Sequence, residues 1–234
     1  MPETDLSLQW HIRDNWTARG AVLVTAALNA LLINNPSSLP WWLAAAVEVA
    51  LLVPLSIATA WTHGEMRRAT HAQHWIRIGH HRRRVRHAAV ALTALITLIN
   101  FSSLYAVLAA LLHGARQATG HSLLVDALNI WFTNVVVFAL WFWNIDRGGP
   151  ATRALSQRPP DLMFPQMSSG WPEHRAWTPG FFDYLFVSFT NATAFSPTDT
   201  LPLSVRAKLL FMVESGVSLL TVALVAARAV NILS

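Results

Sequence analysis

The sequence predicts an all-α polytopic membrane protein with five transmembrane helices and one re-entrant, pore-type half-helix. Three observations lead there. The 234-residue chain is 53% apolar and 12% charged, about half the ~25% charge of soluble domains. Apolar runs recur at about 20–33, 41–62, 88–113, 121–145 and 204–233, against the ~20 residues that a spanning helix needs. Between the last two runs stands a shorter aromatic segment, Phe181 to Thr193, followed by the polar turn Ser196-Pro197-Thr198-Asp199. A half-length helix, a polar loop and a full-length helix make a re-entrant hairpin, which is tolerated at membrane depth only where protein or water surrounds it.

The elements follow in chain order. The first run is short and is expected to extend back through Thr17–Arg19 or on to Asn35. Its leader carries Glu3, Asp5 and Asp14, with no small-x-small site close behind, so it reads as a span rather than a cleaved signal. Asn34-Asn35-Pro36 turns the chain, Trp41-Trp42 anchors the second span at an interface, and Pro54 is expected to kink it. A basic loop, 63–87, then precedes two further spans. Residues 1–145 thus form a four-helix transmembrane region, 146–180 a surface linker rich in Pro, Gly and Ser, and 181–234 the hairpin module. Leu162-Met163-Phe164-Pro165, Trp171 and Trp177 are expected to lie along the membrane surface.

Charge sets the orientation. The loop 63–87 holds Arg67, Arg68, Arg77, Arg82, Arg83, Arg84 and Arg86, and the positive-inside rule makes it cytoplasmic. Alternation then places the N-terminus, the linker 146–180 and both ends of the re-entrant loop on the same side. Fifteen of the seventeen Lys and Arg fall there, with Arg116 and Arg228 outside. The expected partners are the bilayer and its anionic headgroups rather than nucleic acid. His63, His71, His74, His80, His81 and His87 in the same loop read first as part of a solvated basic loop and second as a pH-sensitive patch for headgroups. There is no Cys, so no thiolate can join them. No metal site or cofactor is expected. No nucleophile–base pair, phosphate loop or His-Glu-x-x-His occurs, so an enzyme is not expected.

Phe186-Val187-Ser188-Phe189-Thr190-Asn191-Ala192-Thr193, then Ala194-Phe195-Ser196-Pro197-Thr198-Asp199, then Pro202, Ala207-Lys208-Leu209-Leu210, Glu214 and Gly216 resemble the pore module of the potassium-channel superfamily. The resemblance covers under a quarter of the chain. It implies a pore helix, a filter at Thr193, Ala194, Phe195, Ser196, Pro197, Thr198 and Asp199, an inner helix, and a homotetramer around one path. Both filter glycines are replaced: Ser196-Pro197 stands for Gly-Tyr and Thr198 for the second Gly. Proline fixes φ near −65° and makes its predecessor extended, which excludes a stack of carbonyls for dehydrated potassium and implies a degenerate, weakly selective cation filter. The chain is also similar to uncharacterised bacterial inner-membrane proteins with a basic loop, a Phe-Pro linker and the same C-terminal hairpin, which implies the inner membrane as its location.

Glu214 is the sharpest single residue. It lies about three turns into an apolar helix, and Ser218, Thr221 and Arg228 continue one helical stripe from it, interrupted by Val225. An intramembrane carboxyl faces either a cavity or a partner, so the stripe reads as a pore lining or as a helix–helix seam. Gly216 reads as a hinge or a close-packing point. Asp199 reads as one member of a carboxylate ring or as the partner of Arg206 or Lys208. The sequence therefore supports an oligomeric pore-loop cation channel. Its alternatives are a non-conducting scaffold or sensor that keeps the hairpin for packing, or a small proton-coupled transporter using Glu214 and Glu48. In a Ser168→Cys variant the single thiol should resist a membrane-impermeant reagent in intact cells and react after permeabilisation. Labelling in intact cells would reverse the assigned orientation.

Overall fold

The computed structural model describes residues 17–28, 72–113, 120–153, 158–171, 177–194 and 199–233. The expected second span with Glu48 and Pro54, and the loop residues Phe195, Ser196, Pro197 and Thr198, lie outside the described residues. Seven α-helices are described: α1 (Thr17–Leu28), α2 (Ala72–His113), α3 (Gly120–Ile145), α4 (Pro150–Arg153), α5 (Pro165–Ser168), α6 (Phe181–Ala194) and α7 (Val205–Leu233). Arg84–Ala109 in α2, Leu124–Gly148 at α3 and Val205–Ala226 in α7 are long and apolar enough to cross a membrane.

Polarity is inverted relative to a water-soluble bundle. Thr93, Asn100, Asn134, Asn144 and Glu214 are buried, whereas Leu98, Tyr105, Phe132, Phe182, Phe186 and Met212 are exposed. Hydrocarbon outside explains this arrangement: apolar side chains lose nothing by facing lipid, and polar ones must find partners within the bundle.

α3 is the central helix, with Val137, Phe138, Ala139, Leu140 and Phe142 all buried. Against α2 it sets Asn144 on Thr93 (3.3 Å) and Trp141 on Thr97 (2.9 Å). Against α7 it stacks Phe142 on Phe211, with centroids 4.7 Å apart. α1 joins through Ala18 and Val22 in the same core, and the Asn129 amide donates to the Leu28 carbonyl.

The contacts fix which ends lie together. The basic start of α2 leaves the bundle beside the C-terminal end of α3. α6 starts there too, with Phe181 against Trp143 (6.0 Å) and the Tyr184 hydroxyl donating to Asp146 (2.6 Å). α7 also starts there, through Arg206 and Asp161 (2.7 Å). The hairpin thus enters and leaves by one end. α6 has 14 residues and reaches only ~21 Å, short of a hydrocarbon core ~30 Å thick.

Two expectations are corrected. The segment 63–87 is not a loop over its described part: α2 is one continuous helix from Ala72, because Arg is a good helix former and no Pro interrupts the run. The linker is not confined to the surface. Leu162 and Phe164 are buried in the core, with Phe164 edge-on to Tyr184 (5.4 Å) and Trp177 (5.6 Å). Trp171 does stay exposed. The plug is apolar, and the space between the ends of α3, α6 and α7 takes it in.

Asp161 ties this plug down. Its carboxylate accepts both Arg206 Nε and Nη2 at 2.7 Å and the Arg147 amide at 3.1 Å. Its backbone carbonyl accepts the Leu203 amide at 2.8 Å. Leu162↔Pro202 and Met163↔Leu201 form a two-stranded antiparallel clasp, β1 (Leu162–Met163) with β2 (Leu201–Pro202). Ser204 caps α7 by accepting the Ala207 amide (3.2 Å). The turn leaving α3 holds Arg147, Gly148 and Gly149 at positive φ (50°, 90° and 93°). A Cβ on Gly149 would stand 3.0 Å from the Asn144 carbonyl oxygen, so only glycine fits.

Burial alone would push the Asp161 carboxyl up, but Arg206, Ser204 and the Arg147 amide outweigh it and hold it below the ordinary aspartate range. Its stabilisation is therefore complete above the unfolded value near ~3.9 and is lost as pH falls through the lower folded value. Asp161→Asn should cost about 2 kcal/mol and flatten that acid limb, measured by thermal unfolding in detergent. Gly149→Ala should cost about 1–2 kcal/mol at every pH.

Candidate functional site

The buried face of α6 is unusual for a helix so rich in aromatics. Phe181, Tyr184, Val187, Ser188, Asn191 and Ala192 turn inward, at spacings of three and four that place them on one side. Phe182, Phe186 and Phe189 turn outward. Two of the polar residues in that inward face, Ser188 and Asn191, meet Glu214 of α7.

Glu214 is fully buried. Its Oε1 contacts the Ser188 hydroxyl, and its Oε2 accepts from Asn191 Nδ2 at 2.7 Å. The same Nδ2 lies 3.2 Å from the Phe211 carbonyl, and Asn191 Oδ1 accepts from the Ser215 hydroxyl at 3.1 Å. Ser188 Oγ also lies 2.6 Å from the Val135 carbonyl of α3. Three helices thus converge on one carboxyl group. Further along α7, Ser218 accepts from Asn134 Nδ2 (3.0 Å), and Thr221 donates back to the Val217 carbonyl (2.8 Å). Ser218 and Thr221 are fully buried as well. The stripe Glu214–Ser218–Thr221 therefore faces α3 and α6 within one chain.

The other expected site residues lie apart from this cluster. Thr193 and Ala194 are exposed at the end of α6, and the Thr193 hydroxyl turns back on the Phe189 and Thr190 carbonyls (2.8 and 3.1 Å). Asp199 is exposed and accepts from Thr200 Oγ1 at 3.2 Å. Arg206, one of its two expected partners, is taken by Asp161. Gly216 is exposed, and a Cβ there would meet nothing within 4 Å, so no neighbour within the chain packs closely on it. Phe195, Ser196, Pro197 and Thr198 lie outside the described residues.

A second polar cluster sits at the base of the hairpin. Asp146 is fully buried. It accepts from the Tyr184 hydroxyl (2.6 Å) and the Asp161 amide (2.9 Å), and faces Arg153 Nε at 3.6 Å. The Arg153 guanidinium lies 4.7 Å from the Tyr184 ring centroid and donates to the Pro179 carbonyl at 3.2 Å. The sequence signal for both clusters was the spacing Tyr184, Ser188, Asn191, which aligns three polar groups on one helical face.

Asn191→Leu removes the donor to Glu214 Oε2 at nearly constant volume and should cost about 2–3 kcal/mol. Thr193→Val, on the exposed side, should stay within ~0.5 kcal/mol. Thermal unfolding in detergent compares the two. Among known proteins, no family model, curated protein or solved structure matches this chain.

Proposed function

We propose that the chain is a non-conducting membrane sensor or scaffold that keeps a pore-type hairpin as a packed module. The observation that carries this reading is the inward turn of Glu214, Ser218 and Thr221, of which Glu214 pairs with Ser188 and Asn191 and Ser218 with Asn134 of the same chain. A pore lining needs polar groups that face water or a neighbouring subunit across an axis. Here those groups are spent on holding α3, α6 and α7 together. The reading places the protein in the inner membrane, with the loop and linker cytoplasmic and the basic arm of α2 on anionic headgroups.

One observation favours a second reading, the oligomeric cation channel. The free end of α6 exposes Thr193, and Asp199 is exposed nearby in sequence. Four copies meeting at these ends would ring an axis with hydroxyls and carboxylates.

Purified protein in liposomes separates the two. The sensor or scaffold gives no flux of any monovalent cation above empty vesicles, with the protein intact by size-exclusion chromatography. Robust flux with weak discrimination between potassium and sodium, reduced in Asp199→Asn, would establish the channel instead.

A further inference from the structure

The contacts around Ser188 pose a problem of proton count. The hydroxyl has one proton and two oxygen neighbours, the Val135 carbonyl at 2.6 Å and Glu214 Oε1. The carbonyl can only accept. If Glu214 were a carboxylate it too could only accept, and one of the two close approaches would set oxygen lone pairs against each other. If Glu214 carries a proton, both contacts are hydrogen bonds. Glu214 then donates to Ser188 Oγ, and Ser188 donates to the Val135 carbonyl. The other carboxyl oxygen, Oε2, still accepts from Asn191 Nδ2.

The surroundings fit a neutral acid. The side chains that meet the Glu214 carboxyl, Ser188 and Asn191, are uncharged, and the ion pairs Arg153–Asp146 and Arg206–Asp161 sit at the base of the hairpin. On α3 the stretch from Ala127 to Ile145 is uncharged, and so is Ala88 to Leu112 on α2, where Tyr105 points outward. α6 contributes Asp183, which caps its own helix through the Gly180 amide, and Tyr184, which donates to Asp146. On α7, Arg206 is committed to Asp161, and Lys208 is exposed. A fully buried carboxylate without a cation would be unsupported at this depth.

We propose that Glu214 is a proton-binding site, and that its bound proton locks the half-helix α6 onto α3 and α7 through Ser188. The inference rests on the sensor reading and names its ligand. With the proton in place the chain Glu214–Ser188–Val135 is complete. On ionisation Glu214 loses its donor role, the Ser188 contact becomes a competition for one proton, and α6 loosens. The lock is therefore closed at lower pH and opens as pH rises through the ionisation of Glu214.

Infrared difference spectroscopy of the full-length protein in lipid tests the site. Wild type should show the carbonyl stretch of an undissociated carboxylic acid that disappears on alkaline titration. The band should be absent in Glu214→Gln and shifted in Ser188→Ala, which removes the acceptor. Lack of a Glu214-dependent acid band anywhere across about pH 5 to 9 would overturn the proposal. The lock has its own readout. Ala192 is buried on α6, and an Ala192→Cys reporter should react with a water-soluble maleimide about tenfold faster at alkaline pH. Adding Glu214→Gln, whose amide can donate to Ser188 at any pH, should abolish that pH dependence. An acid band without the change in reactivity would overturn the lock. Cation flux in liposomes would overturn the sensor reading while leaving the acid band in place, so the two failures are distinguishable.

Discussion

A helix that stops halfway through an apolar layer must be held by its sides. α6 ends far short of the distance that a span covers, and its outward face of Phe182, Phe186 and Phe189 offers lipid nothing but contact area. The grip comes from the opposite face, where Ser188 and Asn191 reach one buried carboxyl on α7 and one carbonyl on α3. Hydrogen bonds of this kind are modest in water because water competes for both partners. Within the bundle the alternative to pairing is an unsatisfied polar group, which gives the arrangement its directionality. The position of α6 against α3 and α7 depends on this meeting of three helices.

The base of the hairpin uses a different chemistry for the same purpose. There the groups are charged: Asp146 with Arg153, Asp161 with Arg206. Arg206 is half exposed and can keep part of its hydration, whereas Arg153 is buried and donates from its two Nη atoms to the Pro179 and Trp143 carbonyls. Charge is affordable near an interface and scarce at depth. The neutral network around Glu214 and the ionic network around Asp146 and Asp161 follow that gradient.

Much of the fold was legible in the sequence. The apolar runs at 88–113, 121–145 and 204–233 fall on α2, α3 and α7, and the short aromatic run falls on α6, because apolar length alone marks helices in this class. The boundary at 145 coincides with the end of α3, where Gly148-Gly149 breaks the pattern. Two features were hidden. Arg and His read as loop by charge, yet they extend α2 without a break. Leu162 and Phe164, four residues of apolar character in a Pro-rich stretch counting their neighbours Met163 and Pro165, carry no periodicity to reveal that they plug the core. Glu214 stood out by composition and depth, but whether it faced an axis or a neighbour depended on the rotation of α7, which a single stripe does not determine. Ser188 and Asn191 lay within the quoted motif, and only the fold gave them a task.

The sequence distances in these networks carry a consequence for assembly of the chain. Ser188 and Glu214 are 26 residues apart, Asp161 and Arg206 are 45, and Asn134 and Ser218 are 84. Every one of these pairs is completed by α7, which follows the other described helices in the chain. During synthesis α2 and α3 can meet through Thr93 and Asn144 as soon as both exist, but Asp161, Ser188 and Asn134 must wait with their partners still unmade. The hairpin therefore closes only after α2 and α3 have had the chance to meet. Until α7 arrives the nascent bundle carries a row of open polar sites, which makes that interval its most vulnerable to quality control.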